Sequence, residues 1–175
     1  MKNFKSLMVL LILFTLITTG TSMAGSMNKK GNVGILTSAE EAGLLFMREE
    51  EKLARDVYLM LFDKWGLRVF ANIAQSEQRH MDAVLYLLGK YGLDDPARDP
   101  GLFQDSDLQD LYDELIAKGE TSLVDAIEVG VLIELTDIED IETLIKQTKK
   151  KDIIQVYTNL LNGSYNHLEA FESHL

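Results

Sequence analysis

The 175-residue chain has no cysteine. Disulfides, thiolate metal sites and thiol nucleophiles are therefore excluded, and any metal it holds must be bound through oxygen and nitrogen. Proline is nearly absent: the two present are Pro96 and Pro100, so little interrupts a helix on either side of them. Histidine is scarce too, with His80, His167 and His174 making up the total. Positive charge is outweighed, 17 Lys and Arg against 28 Asp and Glu, for a formal net charge of −11. A nucleic-acid binder ordinarily carries a basic patch, so that class is excluded. The acidity suits cation attraction, and equally plain solubility. The sequence has no phosphate loop, no dinucleotide fingerprint, no Ser-His-Asp arrangement and no alternation of the kind strands need.

The longest apolar run, LMVLLILFTLITTG at 7–20, follows Lys2 and Lys5 and precedes Ser22 and Ala24. A basic start, a short apolar stretch and small residues form the pattern of a secretory signal peptide. Residues 1–24 are thus expected to be a leader cleaved after Ala24. The mature protein would be exported, to a periplasm or beyond. The run is short for a membrane span, and contact with a membrane is expected only if the segment stays uncleaved. Residues 25–37 are small and polar and read as a flexible linker.

From 38 onward helical patterns dominate. Ser38 with Glu41 three residues on has the form of a capping box opening a helix to Trp65. A second pattern covers 69–91 and stops at Gly92. An irregular crossover with both prolines spans 93–107. A short amphipathic helix covers 108–118, and Ser122 with Asp125 opens a long one over 123–147. The last covers 153–172, with Gly163 inside it. Four helices of roughly 20 to 28 residues in two closely linked pairs predict an all-α four-helix bundle at 38–175, its crossover containing a short extra helix.

Each long helix has a core-facing seam, with residues alternately three and four apart. On the first it is Leu44, Met47, Glu51, Ala54, Tyr58, Leu61. On the second it is Phe70, Ile73, Glu77, His80, Val84, Leu87. On the third it is Ile127, Val131, Glu134, Ile138, Ile141, Ile145. On the fourth it is Tyr157, Leu160, Ser164, His167, Phe171. Every seam is apolar at its ends and polar at its middle. A buried unpaired carboxylate costs several kcal/mol or more, and no lysine or arginine lies in any seam. Three carboxylates and two imidazoles meeting at one level need a cation, which a metal ion supplies. Oxygen and imidazole donors without sulfur suit iron, manganese or zinc. Taken singly, each residue has a plainer account: Glu51 as one of three consecutive surface glutamates, Glu134 in the acidic run TDIEDIE, His167 as a hydrogen-bonded core histidine. Two of the three histidines falling on matching seam positions is what favours the metal.

These residues resemble the ferritin-like superfamily. EKLARDVY, from Glu51 to Tyr58, resembles the first-helix segment of rubrerythrins. Glu77-x-x-His80 resembles their second-helix ligand pair. LIEL, around Glu134, is similar to the third-helix ligand region of bacterioferritins. GSYNHLEAF carries the fourth-helix histidine at His167. The chain from Ser38 onward also resembles a bacterial and archaeal branch of that superfamily defined only as a domain of unknown function. The resemblance implies a metal site with glutamate from two helices and Glu-x-x-His from the other two. Glu51 and Glu134 would be terminal or bridging ligands, Glu77 a bridge, and His80 and His167 terminal donors. Iron, as a pair or a single ion, would then act with dioxygen or peroxide.

The pattern departs at Ser164, where the fourth-helix glutamate is expected. The site could then hold one ion, or a pair completed by water or another acid. Asp137, one turn after Glu134, and Glu128, held in reserve, are the candidates. Tyr58 lies near enough for a redox role or for contact with a ligand, and otherwise reads as a core aromatic. Without cysteine there is no rubredoxin-type electron-transfer module, so electrons must come from outside. Two readings follow: an exported iron-binding oxidoreductase, ferroxidase or peroxidase-like, or a non-catalytic binding or assembly module with a degenerate site. A homo-oligomer is compatible with either.

Overall fold

The structure is a computed structural model and describes residues 34–175. The leader expected at 1–24 and most of the linker expected at 25–37 lie outside the described residues. Five helices follow: α1 (Ser38–Trp65), α2 (Arg68–Tyr91), α3 (Ser106–Gly119), α4 (Leu123–Gln147) and α5 (Lys151–Glu172). The described residues contain no strand, and none of their helices is long and apolar enough to cross a membrane.

α1 packs along α2, and α4 along α5. α1 also meets α4 and α2 meets α5, which closes the four long helices into a ring, with α3 laid against α1 and α4. Gly66 and Gly92 end α1 and α2 in the left-handed region, at φ 66° and 78°, each with its N–H returned to the last helical turn. Ser122 caps α4 by accepting from the Asp125 N–H at 3.0 Å, as its spacing predicts.

The cap of α1 differs from the expectation by one residue. Thr37, not Ser38, is the N-cap. Its hydroxyl accepts from the Glu40 N–H at 3.2 Å, while Glu40 accepts from the Thr37 N–H at 2.9 Å. Both Thr37-x-x-Glu40 and Ser38-x-x-Glu41 fit the motif. The tie is broken far along the chain, because Glu40 also accepts from the Thr148 hydroxyl at 2.7 Å in the α4–α5 connection. Glu41 stays exposed.

The seam residues enter the core as expected, save that Val131 and Ile145 are only half-buried on α4 and His80 on α2. At Val131 the inward position passes to Gly130, on whose Cα the Phe171 ring lies. One apolar layer consists of Leu44, Met47, Val84, Leu87, Leu88, Ile141, Ile153, Tyr157 and Leu160. Another is aromatic, with Tyr58, Phe70 and Phe171 5.1–6.3 Å apart between ring centroids. The polar seam residues lie between the two.

The plainer account of Glu51 as a surface glutamate does not hold. Glu49, Glu50 and Glu51 are all buried, and so are Arg48 and Lys52. The crossover covers this side of α1. Arg48 binds Asp95 with both carboxylate oxygens engaged, at 2.9 and 2.8 Å. Lys52 donates to Asp56 at 2.6 Å and to the Leu102 carbonyl at 3.0 Å, and Asp56 accepts from the Gly101 N–H at 2.9 Å. Glu49 accepts from the Gln104 and Asp105 N–H groups. One face of α1 thus fixes the crossover while the other carries Glu51.

Candidate metal centre

Four helices supply the polar layer: Glu51 from α1, Glu77 and His80 from α2, Glu134 and Asp137 from α4, Ser164 and His167 from α5. All are buried except His80, whose side chain is 11% exposed. Glu77 is at the centre. Its Oε2 is 2.8 Å from His80 Nδ1 and its Oε1 is 2.8 Å from His167 Nδ1. Glu51 Oε2 lies 3.1 Å from His80 Nδ1, and Glu134 Oε2 lies 3.5 Å from His167 Nδ1. The two imidazoles stack with centroids 5.5 Å apart. Two donor triads result, Glu51–Glu77–His80 and Glu77–Glu134–His167, each with its donor atoms within 4.8 Å of one another. They share Glu77.

The outer oxygens are held from behind. The Tyr58 hydroxyl donates to Glu134 Oε1 at 2.6 Å. Ser164 donates to Asp137 Oδ2 while contacting the Leu160 carbonyl at 3.1 Å. Such contacts fix a donor's orientation and leave its other oxygen free. Glu51 Oε1 and Asp137 Oδ1 are buried without a hydrogen-bond partner, while Glu77 Oε1 and His167 Nδ1 face each other at 2.8 Å. Buried polar atoms are ordinarily satisfied, so two carboxylate oxygens left unpaired in one layer mark a place where a cation fits.

The electrostatics agree. Burial pushes Glu51 well up, and the Asp137, Glu77 and Glu134 charges add to it. Burial likewise raises Glu134 to about 7, with Glu77 adding and His167 opposing. Asp137 goes up to about 8 through burial and the Glu134 charge, against the Ser164 hydrogen bond. Burial disfavours imidazolium at His167, yet Glu134 and Glu77 outweigh it and lift that ring to about 9. Glu77 is the exception: burial works against its charge, but the two imidazoles hold it at about 2. Without a cation, one carboxylate is neutralised by imidazoles and its neighbours are forced toward protonation.

Of the residues singled out in the sequence, Glu128 alone is elsewhere. It is exposed and paired with Lys118 Nζ at 2.6 Å on the outside of α4, which removes it as a reserve ligand. Asp137, one turn from Glu134, is buried and faces inward, beside the two donor triads but in neither. The sequence reading missed Glu50 and Asp140. Both are buried beside Asp137. The i,i+3 spacing of Asp137 and Asp140 was the available signal.

Residues 40–175 match a family described as an uncharacterized protein domain, DUF2202. The chain belongs to the DUF2202 family. The uncharacterized protein MJ0754 of Methanocaldococcus jannaschii is 52% identical over 138 residues, covering 78% of this chain and 75% of that protein. The crystal structure titled hypothetical protein MJ0754, from Methanococcus jannaschii, superposes with a TM-score of 0.77 at 50% identity, over 84% of this chain and 83% of that one. The helical fold described here is thus shared with MJ0754.

Proposed function

We propose that this DUF2202 domain is a ferritin-like metal-binding protein that holds two metal ions and couples Fe(II) oxidation to the reduction of dioxygen or peroxide. The observation that carries this reading is the placement of Glu77. Each of its oxygens faces a different imidazole at 2.8 Å, and each imidazole has a further carboxylate beside it. A carboxylate so placed is suited to bridge two cations, and a single ion would leave one triad unused. The donor set, oxygen with imidazole and no sulfur, suits iron, with manganese and zinc as competitors.

Glu77 would bridge. Glu51 with His80 Nδ1 would hold one ion, and Glu134 with His167 Nδ1 the other. Asp137, its Oδ2 tied to Ser164 and its Oδ1 free, supplies the extra carboxylate that Ser164 does not. Two bound Fe(II) ions would supply two electrons, as many as reduction of peroxide to water requires. Tyr58 keeps Glu134 Oε2 turned to the centre and places a phenol 2.6 Å from a ligand oxygen. The leucine and aromatic layers on either side exclude water from the polar layer. Export rests on the leader pattern of residues 1–24.

The test is anaerobic loading of the purified full chain with Fe(II), metal analysis, then exposure to dioxygen or peroxide. Two ions per chain and oxidation well above the rate in protein-free buffer are expected. Less than one ion per chain, with background oxidation only, overturns the proposal. Ser164 favours the alternative of a non-catalytic binding or assembly module with a degenerate site. Sub-stoichiometric metal favours that alternative, and two bound ions without oxidation would mean metal storage or delivery without turnover.

A further inference from the structure

The two donor triads share Glu77 but differ in their second carboxylate. In the α1–α2 triad it is Glu51. Its Oε2 lies 3.1 Å from His80 Nδ1, and its Oε1 is buried without a hydrogen-bond partner. Both oxygens are thus available to one ion. In the other triad it is Glu134. Its Oε2 lies 3.5 Å from His167 Nδ1, but its Oε1 accepts from the Tyr58 hydroxyl at 2.6 Å. Tyr58 is fully buried, with the Phe70 and Phe171 ring centroids 6.3 and 5.1 Å from its own. A buried phenol needs an acceptor, and among the described residues Glu134 is the one this hydroxyl has.

α5 adds no carboxylate on the Glu134 side. Ser164, one turn before His167, is turned to Asp137 Oδ2 and the Leu160 carbonyl, and Asp137 belongs to neither triad. The donor atoms are therefore unequal. Glu51 Oε1 and Oε2, Glu77 Oε2 and His80 Nδ1 serve one ion; Glu77 Oε1, Glu134 Oε2 and His167 Nδ1 serve the other. A carboxylate with both oxygens free can chelate an ion. One whose second oxygen accepts a phenol proton offers a single, less basic oxygen. A position closed by protein donors holds its ion, and one that keeps a place for water exchanges it more readily.

We propose that the two metal positions are unequal: a firm one at Glu51 and His80 that fills first, and a labile one at Glu134 and His167 that Tyr58 weakens by occupying one oxygen of Glu134. This rests on the two-ion reading of the centre. Tyr58 is a positioning residue, acting on the ion only through Glu134. Ions exchange with solution at the labile position while the firm position stays filled.

Crystals of the full chain soaked in rising Co(II), with anomalous data collected at the cobalt edge, provide the test. The first peak is expected between Glu51 and His80. A second, between Glu134 and His167, should need a Co(II) concentration about tenfold higher or more. Tyr58→Phe releases Glu134 Oε1, so the second peak should then appear at a concentration about tenfold lower than in the wild type. A tyrosine that merely oriented Glu134 or supported the fold would, on removal, delay that peak or leave it unchanged, and either result overturns the role given to Tyr58. Peaks that rise together, or a first peak beside His167, overturn the inequality and leave the two-ion centre standing. A peak beside Glu51 that gains no companion at saturation overturns the two-ion centre and the labile position with it. No peak anywhere overturns both. The wild-type series decides the order of filling even if the variant crystallises poorly. Calorimetric Co(II) titration of both proteins in solution then decides the role of Tyr58, through the ratio of the two Kd values, which should narrow in the variant.

Discussion

Gly163 on α5 lies directly against the His80 imidazole of α2: a Cβ at position 163 would stand 2.6 Å from both Cε1 and Nε2 of that ring. The absence of a side chain there lets His80 reach inward to Glu77 and Glu51. An alanine in a helix interior ordinarily stabilises relative to glycine by about 1 kcal/mol. Here it should instead displace the ring. Gly163→Ala is expected to weaken metal binding by about 10- to 100-fold, the range for disturbing a ligand's support, with little or no gain in the melting temperature of the metal-free protein. A clear gain in melting temperature with unchanged affinity would show that the contact is incidental.

The Tyr58 hydroxyl is the partner of Glu134 Oε1. Tyr58→Phe leaves that buried oxygen without a donor, at a cost of about 1–3 kcal/mol in the metal-free protein. Urea unfolding of both proteins measures it. The loss should shrink once metal is bound, because the cation then neutralises Glu134. Equal losses with and without metal would mean that Glu134 is not a ligand.

Stability of the metal-free protein should depend on pH in an unusual direction. Asp137 at about 8, Glu134 at about 7 and His167 at about 9 all lie above their ordinary values. Groups raised in the folded state favour folding while protonated, so their contribution fades as pH rises through those values. Glu77 works oppositely, but only as pH falls toward about 2. Thermal melts should therefore show a less stable metal-free protein at pH 9 than at pH 5.5. Saturating metal should shrink or reverse the difference, because it displaces the same protons. A flat profile without metal would contradict the crowding of acids described here.

Replacing Glu77 and His80 together by Leu and Ala removes the bridge and one imidazole. Exchanging buried ionic groups for apolar ones is often neutral or stabilising by about 1–4 kcal/mol. The variant should be at least as stable as the metal-free wild type and should retain less than one ion per chain. Retention of two ions would move the binding site elsewhere.

The all-helical fold and the polar layer were legible because both follow from periodicity. Alternating three- and four-residue spacing marks the inward face of a helix, and Glu51, Glu77, His80, Glu134 and His167 interrupt it at one level. Asp137 could be placed one turn from Glu134, though only the Ser164 contact shows which way its oxygens turn. Asp140 was signalled only by its i,i+3 spacing from Asp137, and Glu50 was not legible. Glu50 sits beside the seam in a run of three glutamates that looks solvated, and only the approach of α4 buries it. The cap at Thr37 escaped for a similar reason, since two overlapping motifs are equivalent until Thr148, 108 residues away from Glu40, selects one. Lys52 and Asp56 form an i,i+4 pair that reads as a solvated helix face, and nothing local shows that they and Arg48 are buried, because their partners in the crossover are about fifty residues distant.

The two-faced α1 has a consequence for how this domain can change over generations. Arg48, Glu49, Lys52 and Asp56 grip the crossover, while Leu44, Met47, Glu51 and Tyr58 point the opposite way into the bundle. Inserting or deleting one residue between Leu44 and Met47 would swing the rest of the rod by about 100°, trading the clamp and the donor side at a stroke. Such indels should be far less tolerable there than in the exposed ends of the 93–105 segment, so natural length variation ought to collect in the loop and spare the helix.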